Sequence, residues 1–383
     1  MPQLRWDIFC TVIDNFGDIG VTWRLARQLA AEHDAAVTLW VDDLASFARI
    51  APTLDTTRHD QPLGDIRVRY WSKPFTPDFA PADVVIEAFA CELPEAYQQA
   101  MAACARKPVW LNLEYLSAED WVAGCHRMAS PHPRLPLTKY FFFPGFDAHS
   151  GGLLCEGGLL ATRDAWQADR AAQDAYWQER SVPPCPAGGL RISLFAYDTP
   201  AATQWVATLA AGTQPVQLLV PQGRVLPDVL SGIGITRPAQ AGDSFQHGAL
   251  QVCVLPMTDQ DGYDRLLWSC DLNIVRGEDS FVRAQWAGRS FIWHIYRQEE
   301  DAHLEKLDAF LQRYLAALPP DAAAAIRDFH HGWNRDALAP DGWARLLAAL
   351  PAWQLHAQRW PQALLAHGDL ATNLVQFAKK QLQ

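Results

Sequence analysis

Positive charge is scarce in this chain: 32 Lys and Arg stand against 43 Asp and Glu, a formal net charge of −11. A field of that sign repels a phosphate backbone, so nucleic acid is a poor partner, although it suits a cationic acceptor. Long apolar runs are missing as well. No stretch approaches the roughly 18 apolar residues that a membrane span needs. The opening MPQLRWDIFC has no basic segment followed by an apolar core and a small-residue cleavage site, so no signal peptide is expected. The eight cysteines, Cys10, Cys91, Cys104, Cys125, Cys155, Cys185, Cys253 and Cys270, form no C-x-x-C pair. They read as reduced, mostly buried thiols of a cytoplasmic protein, with neither a disulfide framework nor a zinc site. Also missing are G-x-x-x-x-G-K-[ST], a G-x-G-x-x-G after the first strand, H-E-x-x-H and G-x-S-x-G. Their absence argues against a P-loop NTPase, a standard dinucleotide dehydrogenase, a zincin and an α/β-hydrolase.

What is present is a packed α/β protein. With 383 residues, 49% hydrophobic and 20% charged, the chain exceeds what one core usually serves, so two domains are expected. Apolar runs at 4–13, 36–41, 66–71, 83–89 and 108–113 read as strands, with helices at 21–33 and 94–104 between some of them. The alternation restarts with strands at 190–196, 216–221, 250–255, 272–275 and 290–295, interleaved with helices at 201–211, 263–270 and 281–287. After Glu299 the chain reads as helix punctuated by Pro319, Pro340, Pro351 and Pro361. Two doubly wound, largely parallel sheets follow from this order, with ligands expected at the carboxyl ends of the strands in a crevice between the halves. The expected division is residues 1–155, a linker at 156–189 where the composition turns to Ala, Gln, Asp and Arg, a second domain at 190–360, and a terminal helix at 361–383 returning to the first.

Two constellations carry candidate chemistry. The first βα junction, Asp14-Asn15-Phe16-Gly17-Asp18-Ile19-Gly20, sets two carboxylates around a glycine turn where an open α/β sheet presents its site. Asp18 equally suits a helix cap, and position alone leaves the two roles open. Arg276-Gly277-Glu278-Asp279-Ser280 lies between a strand and a helix, so unpaired backbone N–H groups, the positive end of the helix dipole and a guanidinium converge, as a diphosphate requires. Ser280 or Asp279 as a plain cap is the alternative. Glu278 beside such a site calls for a sugar or ribose hydroxyl. Asp259-Gln260-Asp261 mimics a metal-binding D-x-D but reads better as the acidic start of a helix. The His330–His331 pair and most of the 16 tryptophans, Trp268 and Trp286 among them, read as packing.

These residues sit in longer stretches, DIFCTVIDNFGDIGVTWRLARQL, DVVIEAFACELP, LNLEYLSAEDW, KYFFFPGF, SLFAYD and YDRLLWSCDLNIVRGEDSFVRAQWAGRSFIWHIY. With them the chain closely resembles the bacterial protein-arginine rhamnosyltransferases that mature translation elongation factor P, over most of its length. The resemblance implies a GT-B architecture of two Rossmann-like domains facing across a cleft. It implies dTDP-β-L-rhamnose as donor, no metal or other cofactor, and inversion to an α-rhamnosyl arginine on elongation factor P, which is thereby activated to rescue ribosomes stalled at polyproline. It further implies that Asp14 and Asp18 form the acidic pair of the first domain, Asp18 being the candidate general base, and that Glu278 is a third activity-linked carboxylate. Phe195, Tyr197, Gln260 and Arg276 match the donor site, together with Asp279, Ser280 and Tyr296. Met257 stands where the family has a phenylalanine that stacks on thymine.

Overall fold

The computed structural model describes residues 3–13, 16–72, 74–75 and 80–383. It divides into two compact units, Met1–Gly157 with Ala363–Gln383, and Gly158–Gln362.

The first unit runs β1 (Arg5–Cys10), α1 (Gly17–His33), β2 (Ala36–Val41), α2 (Leu44–Ala48), β3 (Asp60–Leu63), β4 (Ile66–Tyr70), β5 (Val84–Ala88), α3 (Glu95–Ala103), β6 (Val109–Leu113), α4 (Val122–Cys125), β7 (Ala129–Pro131) and β8 (Thr138–Phe142). Its eight strands lie in the order β3-β4-β2-β1-β5-β6-β8-β7. The central strands pair in parallel, whereas the short edges β3 and β7 pair antiparallel. β5 and β6 are buried at every position, as strands covered on both faces must be, which is why VVIEA and VWLNL read as near-continuous runs. β3, β7 and β8 went unread in the sequence. β3 and β7 are too short and polar, as blunted edges are, and in TKYFF the half-exposed positions break the apolar run. α1 turns Val21, Leu25 and Leu29 inward and ends at Asp34, whose left-handed backbone (φ 50°) returns its N–H to the Leu29 carbonyl.

The second unit runs α5 (Leu159–Ala168), α6 (Arg170–Glu179), β9 (Leu190–Leu194), α7 (Pro200–Ala211), β10 (Val216–Pro221), α8 (Leu226–Gly232), β11 (Ser244–His247), β12 (Leu250–Leu255), α9 (Gln260–Trp268), β13 (Leu272–Arg276), α10 (Asp279–Trp286), β14 (Ser290–His294), α11 (Ala302–Tyr314) and α12 (Pro320–Asn334). Its six-stranded sheet has the order β11-β12-β10-β9-β13-β14, with only β11, another short polar edge, antiparallel. α13 (Gly342–Leu365) leads to α14 (Leu370–Gln381), which packs on α1 in the first unit.

Two expectations are corrected. The segment 156–189 is no linker through most of its length: α5 and α6 are helices of the second unit. Trp166 Nε1 donates to Ser269 Oγ at 2.8 Å and Arg163 Nη1 to the Trp286 carbonyl at 2.8 Å, while Tyr176 and Trp177 share a core with Leu219 and Leu255. The Ala-, Gln- and Arg-rich composition belongs to their outer faces. Pro351 and Pro361 do not break the terminal region, because both lie inside α13. The fully buried Trp353 and the nearly buried Ala357 between them hold that helix in place against the lost hydrogen bonds. The terminal segment expected at 361–383 corresponds to Ala363–Gln383 of the first unit, within which α14 begins at Leu370. Among the described residues no helix is long and apolar enough to cross a membrane.

Candidate functional site

In the first unit the candidate carboxylate is fixed from two directions. Asp14 lies outside the described residues. Asp18 is the second residue of α1 and only 2% exposed. Its Oδ2 accepts the Ile13 backbone N–H at 2.8 Å and its Oδ1 accepts the Tyr115 hydroxyl at 3.1 Å. The helix cap itself is Phe16, which makes no side-chain cap hydrogen bond, so the Asp18 carboxylate bridges the loops after β1 and β6. These are the carboxyl ends of two parallel strands that flank β5, where an α/β sheet places its ligands.

In the second unit the other candidates cluster at the carboxyl ends of β9 and β13. Arg276, 6% exposed at the last position of β13, lays its guanidinium over Phe195 at 4.5 Å and Tyr197 at 4.8 Å from the ring centroids. Tyr197 meets the half-exposed Tyr296 edge to face at 5.6 Å. Such cation–π contacts help to hold the planar guanidinium in place at the strand end. Gly277 then turns the chain at φ 61°, a left-handed conformation that favours glycine, into the start of α10.

Glu278 occupies the α10 cap position, half-buried and making no cap hydrogen bond, and neither Asp279 nor Ser280 caps that helix. Ser280 Oγ accepts the Arg276 N–H at 3.1 Å and donates to the Arg276 carbonyl, locking helix to strand end. The buried Gln260 donates to Asp279 Oδ2 at 3.3 Å. Met257 is half-buried between β12 and α9. A helix N-terminus beside a buried guanidinium is arranged for an anion, and the Phe195 and Tyr197 rings supply the flat apolar surface that a base or sugar stacks on.

Asp259 caps α9 by accepting the Gly262 N–H at 2.8 Å, and among the described residues no three His, Cys, Asp or Glu side chains group as metal ligands would. His330 is buried with Nδ1 on the Ile326 carbonyl, and His331 pairs with Asp308 at 2.8 Å. Trp268 and Trp286 are core. Tyr115 was missed. Its partner Asp18 is 97 positions away, and the only signal was the stretch LNLEYLSAEDW in which it sits.

Comparison with known proteins agrees with this geometry. The family model described as elongation-factor P (EF-P) rhamnosyltransferase EarP matches residues 6–379. A protein-arginine rhamnosyltransferase of Pseudomonas aeruginosa is 55% identical over 372 residues, 97% of this chain and 98% of the relative. One from Neisseria meningitidis is 38% identical over 392 residues, 99% of this chain and 98% of the relative. A solved structure described as the structural basis for EarP-mediated arginine glycosylation of translation elongation factor EF-P aligns with a TM-score of 0.72 at 40% identity, covering 99% of each chain. A UDP-glucosyltransferase of Polygonum tinctorium, 10% identical with a TM-score of 0.53 over 99% of this chain and 98% of its own, shares the GT-B fold alone. With a matching family model over nearly its whole length and relatives this similar, the chain belongs to the EarP family of protein-arginine rhamnosyltransferases.

Proposed function

We propose that this protein transfers L-rhamnose from dTDP-β-L-rhamnose to an arginine side chain of translation elongation factor P with inversion at the anomeric carbon, activating the factor for ribosomes stalled at polyproline. The observation that carries the reading is the buried Asp18 carboxylate, oriented by Ile13 N–H and the Tyr115 hydroxyl. A guanidinium has a pKa above about 12 and no free lone pair, so it attacks a sugar only if a carboxylate orients it and takes its proton as the bond forms. Asp18 does this as general base, with Asp14 beside it in sequence as the second acidic contact. As the new N–C1 bond forms, the C1–O bond breaks and its electron pair stays on the departing dTDP.

That developing charge falls to Arg276 and the amides of α10, with Tyr296 contributing its hydroxyl. Phe195, Tyr197 and Met257 hold the base, Gln260 and Asp279 shape the pocket wall, and Ser280 keeps Arg276 and the helix start in register. Glu278 binds a sugar hydroxyl near the reacting carbon. No metal ion has a part in this scheme, and the reaction takes place in the cytoplasm with no membrane and no nucleic acid as direct partner. Mass spectrometry of elongation factor P after incubation with this protein and dTDP-β-L-rhamnose checks the reading. The expected result is a gain of one deoxyhexose on one arginine; an unmodified factor with the donor consumed points to another acceptor, and an unmodified factor with the donor intact to a nucleotide-sugar binder.

A further inference from the structure

The geometry points to Tyr115 as a positioning residue for Asp18, an inference that rests on the general-base role proposed above. The Tyr115 hydroxyl donates to Asp18 Oδ1 at 3.1 Å while the Ile13 N–H holds Oδ2 at 2.8 Å. A donor on each oxygen fixes the plane of the carboxylate, and with it the direction in which a proton is received. Tyr115 is 38% exposed, so burial alone does not hold its ring. The ring is held by Phe89, stacked on it with centroids 4.5 Å apart and planes 19° from parallel.

Phe89 belongs to a loop under strain. Phe89, Ala90 and Glu92, all just past the end of β5, have φ of 55°, 52° and 56°, a left-handed region that residues with a Cβ adopt rarely and at a cost in strain. The surroundings hold them there. The Phe89 N–H donates to the Leu113 carbonyl at 2.7 Å and the Cys91 N–H to the Ala88 carbonyl at 3.1 Å. The Glu92 N–H donates to Glu87 Oε1 at 3.1 Å. Glu87 is 2% exposed, and its Oε2 accepts Trp110 Nε1 at 3.0 Å and Lys139 Nζ at 3.2 Å. A buried carboxylate in the sheet thus fixes a strained loop, the loop presents an aromatic face, and that face sets the phenol on the base. The order of dependence runs from β5, β6 and β8 to Phe89, to Tyr115, to Asp18.

Removing the hydroxyl while keeping the ring isolates this role. A hydrogen bond donated to the ionised carboxylate favours the ionised form, so its loss makes Asp18 bind a proton more tightly. Among the described titratable groups, Tyr115 after β6 hydrogen-bonds Asp18, and Cys10 at the end of β1, its thiol raised chiefly by burial, also feels the fields of Asp18, Cys91 and Asp42. Tyr115→Phe is expected to lower kcat roughly tenfold to a hundredfold, as loss of a charge-assisted hydrogen bond implies. The KM for elongation factor P and the affinity for dTDP should stay within about twofold, and the acid limb of kcat/KM should move up by about half to one pH unit.

Phe89→Leu, which removes the supporting ring and leaves the hydroxyl, is expected to move the same two readouts in the same direction by less. Unchanged kcat and acid limb in Tyr115→Phe overturn the proposal. So does a change confined to the acceptor KM, which makes Tyr115 an acceptor contact. Asp18→Asn measured alongside separates the two readings. Near-normal turnover there removes the base assignment and this proposal with it, whereas a collapse there with wild-type behaviour in Tyr115→Phe removes this proposal alone.

Discussion

Met257 carries a single-residue test of the donor reading. A phenylalanine at that half-buried position offers a flat face worth about 0.5–1.5 kcal/mol beyond its area, where the thioether gives a comparable but less directional contact. Met257→Phe is therefore expected to tighten dTDP binding by about twofold to tenfold in a calorimetric titration. Weaker binding would mean that the larger ring overpacks the pocket. Asp18→Asn keeps the size of the side chain but cannot take a proton, so transfer should fall by roughly 10²-fold or more while dTDP-rhamnose still binds. Arg276 tests the charge assignment: turnover should survive EDTA, and loss on chelation with recovery by Mg²⁺ or Mn²⁺ would move the stabilisation of the leaving group from the guanidinium to a metal. Asp18 and Arg276 were legible in the sequence because each adjoins a glycine turn between a strand and a helix, a local pattern with a physical meaning. Tyr115 was not, because its role depends on two strand ends meeting across 97 positions. The capping question at Asp18 was open for the opposite reason. Helix-start carboxylates look alike in sequence until their partners are seen.

At the level of elements, α9 and α10 are tied by a buried ion pair. Arg283 on α10 sends Nε and Nη2 to the two oxygens of Asp264 on α9 at 2.9 and 2.6 Å, both side chains being under a tenth exposed. Removing one partner leaves a desolvated charge, so Arg283→Met is expected to cost about 3–5 kcal/mol and show as a lower melting temperature. A double change, Arg283→Met with Asp264→Leu, should recover much of that loss, and no recovery would mean that the pair is needed for more than charge compensation. α14 makes the corresponding test in the first unit. Leu374 is fully buried in the same core as Ile8, Leu25 and Leu29, and Leu374→Ala should cost about 2–5 kcal/mol by leaving a cavity. Calorimetric scanning reads this as an early transition of that unit. Central strands were read close to their observed bounds, because burial on both faces writes a continuous apolar run. The edge strands and the helices α5 and α6 were not, because half their residues face solvent and dilute the pattern. Proline was over-read as a terminator in α13, where tertiary burial outweighs local preference.

For the whole molecule, acid stability follows from histidines kept neutral inside the fold. Burial lowers His330 to about 4 and His294 to about 3, and burial with the neighbouring Arg127 lowers His126 to about 4. The unfolded chain protonates these rings near the ordinary value of about 6.5, so it binds more protons than the folded one between roughly pH 6.5 and 4, and stability falls as pH drops through that window. Melting temperature should decline from pH 7 to pH 4.5, and His330→Gln should flatten the decline; an unchanged slope would place the acid sensitivity elsewhere. A different consequence follows from the division of the chain, in which the first unit takes its last helix from residues beyond the second. Domains fold as units as they leave the ribosome, the earlier ones first. Here the part made first waits longest: α1, which carries Asp18, lacks the helix that covers it until α14, the last helix of the chain, is made. The first unit therefore closes its core only with the last helix of the chain, so a chain truncated before α14 should keep the second unit folded while the core around α1 stays open.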